Sequence, residues 1–95
     1  MAYINLSCVY AKMGDTLKGL KYCTKALDIA RSIKDANTEA SALNGIGEIY
    51  LIKGETKQAH EHFLRAANLS KELGDDEGYQ YNMNRIHSLS PESNP

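Results

Sequence analysis

The sequence has little of three things that would narrow its function: cysteine, net charge and long apolar runs. Two cysteines in 95 residues, Cys8 and Cys23, are too few for a disulfide framework. The plain expectation is a pair of reduced thiols in a cytoplasmic protein. Eleven basic residues against twelve acidic ones leave a net charge of −1. That gives no electrostatic footprint for nucleic acid or for an anionic lipid surface. No apolar stretch approaches the roughly 18–20 residues of a membrane span. The start, Met-Ala-Tyr-Ile-Asn-Leu-Ser-Cys, lacks the basic region of a secretory signal. Leu6-Ser7-Cys8 has the ending of a lipoprotein cleavage site, but nothing basic precedes it and Asn5 interrupts it. Catalytic patterns are missing as well. There is no P-loop, nucleophile elbow or paired-carboxylate arrangement. Gly45-Ile46-Gly47 lacks the third glycine and the preceding strand of a dinucleotide site. Neither an enzyme nor a cofactor is expected.

What is present is ordinary in bulk. A hydrophobic share of 42% and a charged share of 24% suit one small globular domain. The most informative stretch runs from Leu43 to Gly54 and reads as the second half of a helix. Leu43, Ile46, Ile49 and Tyr50 recur at helical rather than strand period. Gly47 sits inside that stripe, where glycine costs about 1 kcal/mol against alanine, so a second helix is expected close against it. Gly54 follows the last periodic residues, the place where a chain leaving a helix turns left-handed.

That stretch has an echo. Tyr10 and Tyr50 stand 40 residues apart, as do Gly14 and Gly54. Leu6 pairs with Ile46, Asp15 with Glu55, Ala26 with Ala66, Ile29 with Leu69, Ile33 with Leu73 and Asp35 with Asp75 on the same offset. Leu43, Asn44 and Ile46 pair onward with Met83, Asn84 and Ile86. A fixed period of this length, one helical hairpin per copy, signifies a stacked all-α solenoid of about five helices.

Taken in order, Ala2 to Met13 places Tyr3, Leu6, Val9, Tyr10 and Met13 on one helical face. The later helix starts near Asn37 or Thr38, so on the 40-residue offset the first one begins part-way in. A fragment, or a truncated copy of a longer array, is the expectation. Gly14-Asp15-Thr16 makes a turn in which Asp15 or Thr16 can cap the next helix. That helix, Thr16 to Lys34, turns Leu20, Cys23, Ala26 or Leu27, and Ala30 inward, with Ile33 near its end. Asn37 or Thr38 can cap the third helix, which ends at Gly54. A fourth runs to about Leu73 and buries Ala59, Phe63, Ala66 and Leu69. A fifth, about 76–89, carries Tyr79, Met83 and Ile86 on one face. Repeat one then spans about 1–36, repeat two about 37–76 and a capping helix about 76–89, with residues 90–95 a disordered tail.

Leu43-x-x-Ile46-Gly47-x-x-Tyr50, then Gly54, then Ala59-x-x-x-Phe63-x-x-Ala66, resembles the tetratricopeptide repeat at nearly every signature position. The first copy follows more loosely, with Tyr3, Leu6, Tyr10, Gly14 and Ala26, and departs at Ser7, Gly19 and Cys23. The proline that commonly ends the second helix is absent from both copies. The helix continues instead, giving 40 residues rather than the commoner roughly 34. This longer variety is similar to the repeats of cell-polarity adaptors and bacterial signalling proteins.

The resemblance implies a right-handed superhelix whose first-of-pair helices line a concave groove. Its wall is expected from Ile4, Cys8, Ala11 and Lys12, then Ser41, Asn44, Glu48, Leu51 and Ile52, then Tyr81, Asn84 and Ser88. Asn44 and Asn84 are the preferred contacts for a peptide or helical segment of a partner, since an amide both donates and accepts. A chaperone-type carboxylate clamp is not expected, because Glu48 lies between Lys12 and Arg85. His60-Glu61-His62 is no metal site, since on a helix i and i+2 point apart. Cys8 has no cationic neighbour at helical spacing to lower its pKa, and Cys23 packs as a small apolar group. Asn5-Leu6-Ser7 and Asn68-Leu69-Ser70 fit a glycosylation pattern but lie on expected helices.

The leading expectation is an adaptor that holds a partner's peptide. A sensor fragment that binds a small signalling peptide, or the structural end of a longer solenoid, are the alternatives. The stability consequence is measurable. Repeat arrays need about three units to bury a continuous core, and this chain has fewer. Light scattering across a concentration series should show self-association through the N-terminal edge, or a monomer that melts early. A monomer with a high melting temperature at every concentration would refute both.

Overall fold

A computed structural model gives the architecture and describes residues 2–89. The expected tail at 90–95 lies outside the described residues. Five helices follow one another: α1 (Ala2–Lys12), α2 (Thr16–Ser32), α3 (Ala36–Ile52), α4 (Thr56–Leu73) and α5 (Asp76–Leu89). Each packs on its sequence neighbour, and α1 also touches α3. The fold is an all-α solenoid of helical hairpins.

The joints between helices are built alike and recur every 20 residues, twice as often as the 40-residue repeat. Gly14, Lys34, Gly54 and Gly74 all have positive φ, at 90°, 57°, 81° and 74°. After each, an amide reaches back across the turn. Asp15 N donates to Tyr10 O at 2.8 Å, Asp35 N to Ala30 O at 2.8 Å, Glu55 N to Tyr50 O at 2.8 Å and Asp75 N to Ser70 O at 2.9 Å. These are the six-to-one bonds of a helix that ends in a left-handed residue. Three of the four joints then supply a carboxylate cap to the next helix. Asp15 accepts from Lys18 N, Asp35 from Thr38 N and Asp75 from Gly78 N. Glu55, one methylene longer, makes no such bond.

Two boundaries differ from expectation. The cap of α3 is Asp35 rather than Asn37 or Thr38. Thr38 instead donates its hydroxyl to Asp35 Oδ2 at 2.6 Å, and the two bonds from Thr38 hold the Asp35 carboxyl below the usual carboxylate range. Helix α2 stops at Ser32, so Ile33 is its C-cap and stands 62% exposed instead of facing inward.

The core lies along α2, α3 and α4. Ala26, Leu27, Ala42, Leu43, Ile46, Ile49 and Ala66 form one cluster. Ala59, Phe63 and Ile86 form a second, flanked by Tyr50, Leu51 and Met83. Gly47 is explained by the second cluster. A Cβ there would lie 3.0 Å from the fully buried Phe63 ring. Burying that ring gains roughly 1.5–3 kcal/mol, more than the ~1 kcal/mol that glycine costs the helix. In the first hairpin the corresponding pair is Ser7 and Cys23, both 0% exposed. A larger residue stands in place of glycine and a smaller one in place of phenylalanine, so each side of the contact changes in the opposite sense.

Helix α1 faces a different way from that expected. Ser7 and Ala11 are buried, while Leu6, Val9 and Met13 are 41%, 52% and 73% exposed. In α3 the equivalent stripe is covered by α2. No helix occupies that place against α1 among the described residues.

Lys34 is the only non-glycine with positive φ among the described residues. An L-residue there carries about 1–2 kcal/mol of strain, whereas glycine adds some unfolded-chain entropy. Lys34→Gly should therefore stabilise the chain by about 0.5–1 kcal/mol and raise the melting temperature by a few degrees in a calorimetric scan. A lower melting temperature would show that the strain argument fails at this joint.

Candidate functional site

Helices α1, α3 and α5 share one side of the array, and a groove of about 710 Å³ opens along it. Of the expected wall, Ile4, Cys8, Ala11, Lys12, Ser41, Asn44, Glu48, Ile52 and Tyr81 line it. Asn37, Ala40, Gly45, Ile49, Ser70, Asp75, Gly78 and Asn82 complete the lining, all missed from sequence.

Three expected wall residues lie elsewhere. Leu51 is turned toward α4 and α5, where it packs on the cluster of Phe63 and Ile86. Asn84 and Ser88 are exposed on α5 and do not line the groove. The asparagine that meets Asn44 is Asn82, 4% exposed. Asn44 Nδ2 donates to Asn82 Oδ1 at 2.7 Å, and Asn82 Nδ2 donates to Gly78 O at 2.8 Å. The Asn44 amide is thus partly committed inside the protein, and its oxygen remains open to a ligand.

Glu48 is also engaged. Its Oε2 accepts from the Tyr81 hydroxyl at 2.7 Å and its Oε1 pairs with Arg85 Nη2. The Arg85 guanidinium lies 5.6 Å from the centre of the Phe63 ring, and its buried Nε has no hydrogen-bond partner. Partial burial, then the bond to Glu48, pushes the Tyr81 hydroxyl above its ordinary value. The groove therefore carries no free carboxylate at Glu48, contrary to expectation. Its charge is cancelled by Arg85, which in turn is withdrawn from any clamp. The two groups together latch α5 onto α3.

The thiols differ sharply. Cys8 is exposed on the groove wall, whereas Cys23 is fully buried and donates to Ala42 O at 3.2 Å. Burial pushes the Cys23 thiol up to about 11. His60 and His62 belong to no ligand cluster among the described residues. His62 Nδ1 lies 2.9 Å from Gln58 O, and its ring leans against Tyr50 at 5.3 Å. Beside α1, Tyr3, Tyr22 and Tyr10 stack in a row, with Lys25 and Lys18 over the two outer rings.

Taken together, stacked hairpins with left-handed joints and a wall of alternate helices define a class, the helical-repeat fold. The model of one family, the tetratricopeptide repeat, matches residues 1–72, and the chain belongs to that family. Helix α5 lies beyond the matched stretch. Repeats of this family generally mediate protein–protein interaction. No curated protein and no solved structure matches the chain.

The latch makes a local prediction. Glu48→Ala removes two hydrogen bonds to α5 and leaves Arg85 without its counter-ion. Both side chains are about a third exposed, at 33% and 28%, so solvent screening holds the cost to about 1–2 kcal/mol. Amide hydrogen exchange should speed up in α5 and leave α2 unchanged. Equal loss of protection in both helices would mean that Glu48 supports the whole array rather than its last helix.

Proposed function

We propose that the protein is a non-enzymatic adaptor that holds a peptide or helical segment of a partner protein in the groove of α1, α3 and α5. The single observation that carries this reading is the groove's mixed wall. Ile4 and Ile52 offer apolar surface over a floor of buried Ala11 and Ile49, while Ser41, Asn37 and Asn44 offer donors and acceptors. A wall of that kind suits a peptide backbone with small apolar side chains. Lys12 and Asp75 are its outlying charges, and Glu48 is neutralised, so the segment it takes carries little net charge. The two free thiols suit a reducing compartment, and the cytoplasm is our assignment.

The test is a displayed library of short peptides, followed by binding titrations. Ser41 is exposed and lines the groove, so Ser41→Trp should fill the site while shifting stability by less than about 0.5 kcal/mol. Selected peptides should lose at least about tenfold in affinity, near 1.4 kcal/mol. Peptides that bind the Ser41→Trp protein as tightly as the parent would place their site outside the groove and refute the proposal.

A further inference from the structure

The second and fourth joints begin with the same cap and finish it differently. At the second, Asp35 Oδ1 accepts from Thr38 N and the Thr38 hydroxyl donates to Oδ2, so both carboxylate oxygens are engaged. At the fourth, 40 residues on, Asp75 Oδ1 accepts from Gly78 N at 3.0 Å. Glycine brings no hydroxyl, and Asp75 Oδ2 is left without a hydrogen bond among the described residues. A second exchange lies beneath it. Ser70 stands where the first repeat has the buried Ala30. It is 2% exposed yet lines the groove, and its hydroxyl makes no hydrogen bond among the described residues.

The two unused oxygens converge. A Cβ added to Gly78 would lie 2.9 Å from Ser70 Oγ and closer still to Asp75 Oδ2. Both oxygens therefore border the gap that the missing side chain leaves. Ser70, Asp75 and Gly78 line the groove together with Asn37 and Ser41 from the start of α3. The gap thus opens into the groove between two helices of the array rather than at its edge.

Charge says what fits there. Asp75, Asp76 and Glu77 gather three carboxylates at the start of α5, and none has an ion-pair partner among the described residues. The basic residue nearest in sequence, Lys71, lies over the Tyr79 ring instead. The amino end of α5 offsets this by only about half a positive charge. The gap repels anions and suits a cation with N–H donors.

We propose that this gap is a pocket for one basic side chain, lysine or arginine, of the segment bound in the groove, with Asp75 Oδ2 and Ser70 Oγ accepting its N–H groups. The inference rests on the groove reading and adds the chemistry of one position to it. A single basic group leaves the net charge of the segment small.

The experiment selects from a displayed peptide library, flanked by linker at both ends so that no terminal amine takes part, against the intact chain and its variants. Asp75→Asn removes the charge and keeps a cap oxygen, since asparagine caps as well as aspartate. Ser70→Ala removes a hydroxyl that bonds nothing in the free protein and copies Ala30. Circular dichroism and melting temperature should match the parent in both. Peptides that bind the parent and are lost on Ser41→Trp should carry Lys or Arg at one position. Replacing that residue by glutamine should weaken binding to the parent about three- to tenfold. The same replacement should cost less than about twofold against Asp75→Asn, with Ser70→Ala in between. Asp76→Asn, outside the groove lining, should leave the preference unchanged. Groove-dependent peptides with no basic position, or a glutamine cost that persists in Asp75→Asn, overturn the pocket and leave the groove reading standing. Equal effects of Asp76→Asn and Asp75→Asn mean a diffuse acidic field and also overturn it. A library in which no peptide responds to Ser41→Trp defeats the groove reading, and the pocket with it.

Discussion

Everything in this array depends on a chain that turns left-handed every 20 residues. Each joint ends one helix and donates an amide back across the turn, and three of the four also place a carboxylate cap on the next helix. Because the four joints are alike, α2, α3 and α4 come out at 17, 17 and 18 residues. Helices of equal length joined by equal turns stack in register, and alternate ones fall on the same side. The groove is a consequence of that regularity.

The two sides of the array are held by different forces. Toward α2 and α4 the packing is apolar and close, down to a glycine that admits a phenylalanine ring. Toward the groove, α3 and α5 meet through polar groups: an asparagine pair, a tyrosine hydroxyl and an ion pair. Polar contacts of this kind net only about 0.5–1.5 kcal/mol each in partly wet surroundings. They set direction and register rather than bulk stability. The last helix is therefore oriented by the groove wall and anchored by the Phe63 and Ile86 cluster behind it.

Much of this was legible. Glycines at Gly14 and Gly54, the tyrosines before them and the Ala59, Phe63, Ala66 seam define hairpins by spacing alone. The second joint did not show its geometry because Lys34 does not announce a left-handed residue, and with it went the 20-residue period. The groove was harder for a geometric reason. A 40-residue offset tells which residues are equivalent, and equivalence is not contact. Asn84 is the repeat partner of Asn44, but neighbouring helices touch through non-equivalent positions, so Asn82 is the one that meets it. Glu48 likewise finds Tyr81 and Arg85. Leu51 looked like a wall residue by analogy of position, yet its side of α3 faces the second cluster.

Lys34 has one more consequence. Strain held at a single joint lowers the work of opening that joint relative to its glycine-bearing neighbours. It sits between the hairpin of α1 and α2 and the hairpin of α3 and α4, so it separates the α1 wall of the groove from the α3 wall. A rotation of a few degrees about that joint would widen or narrow the cleft.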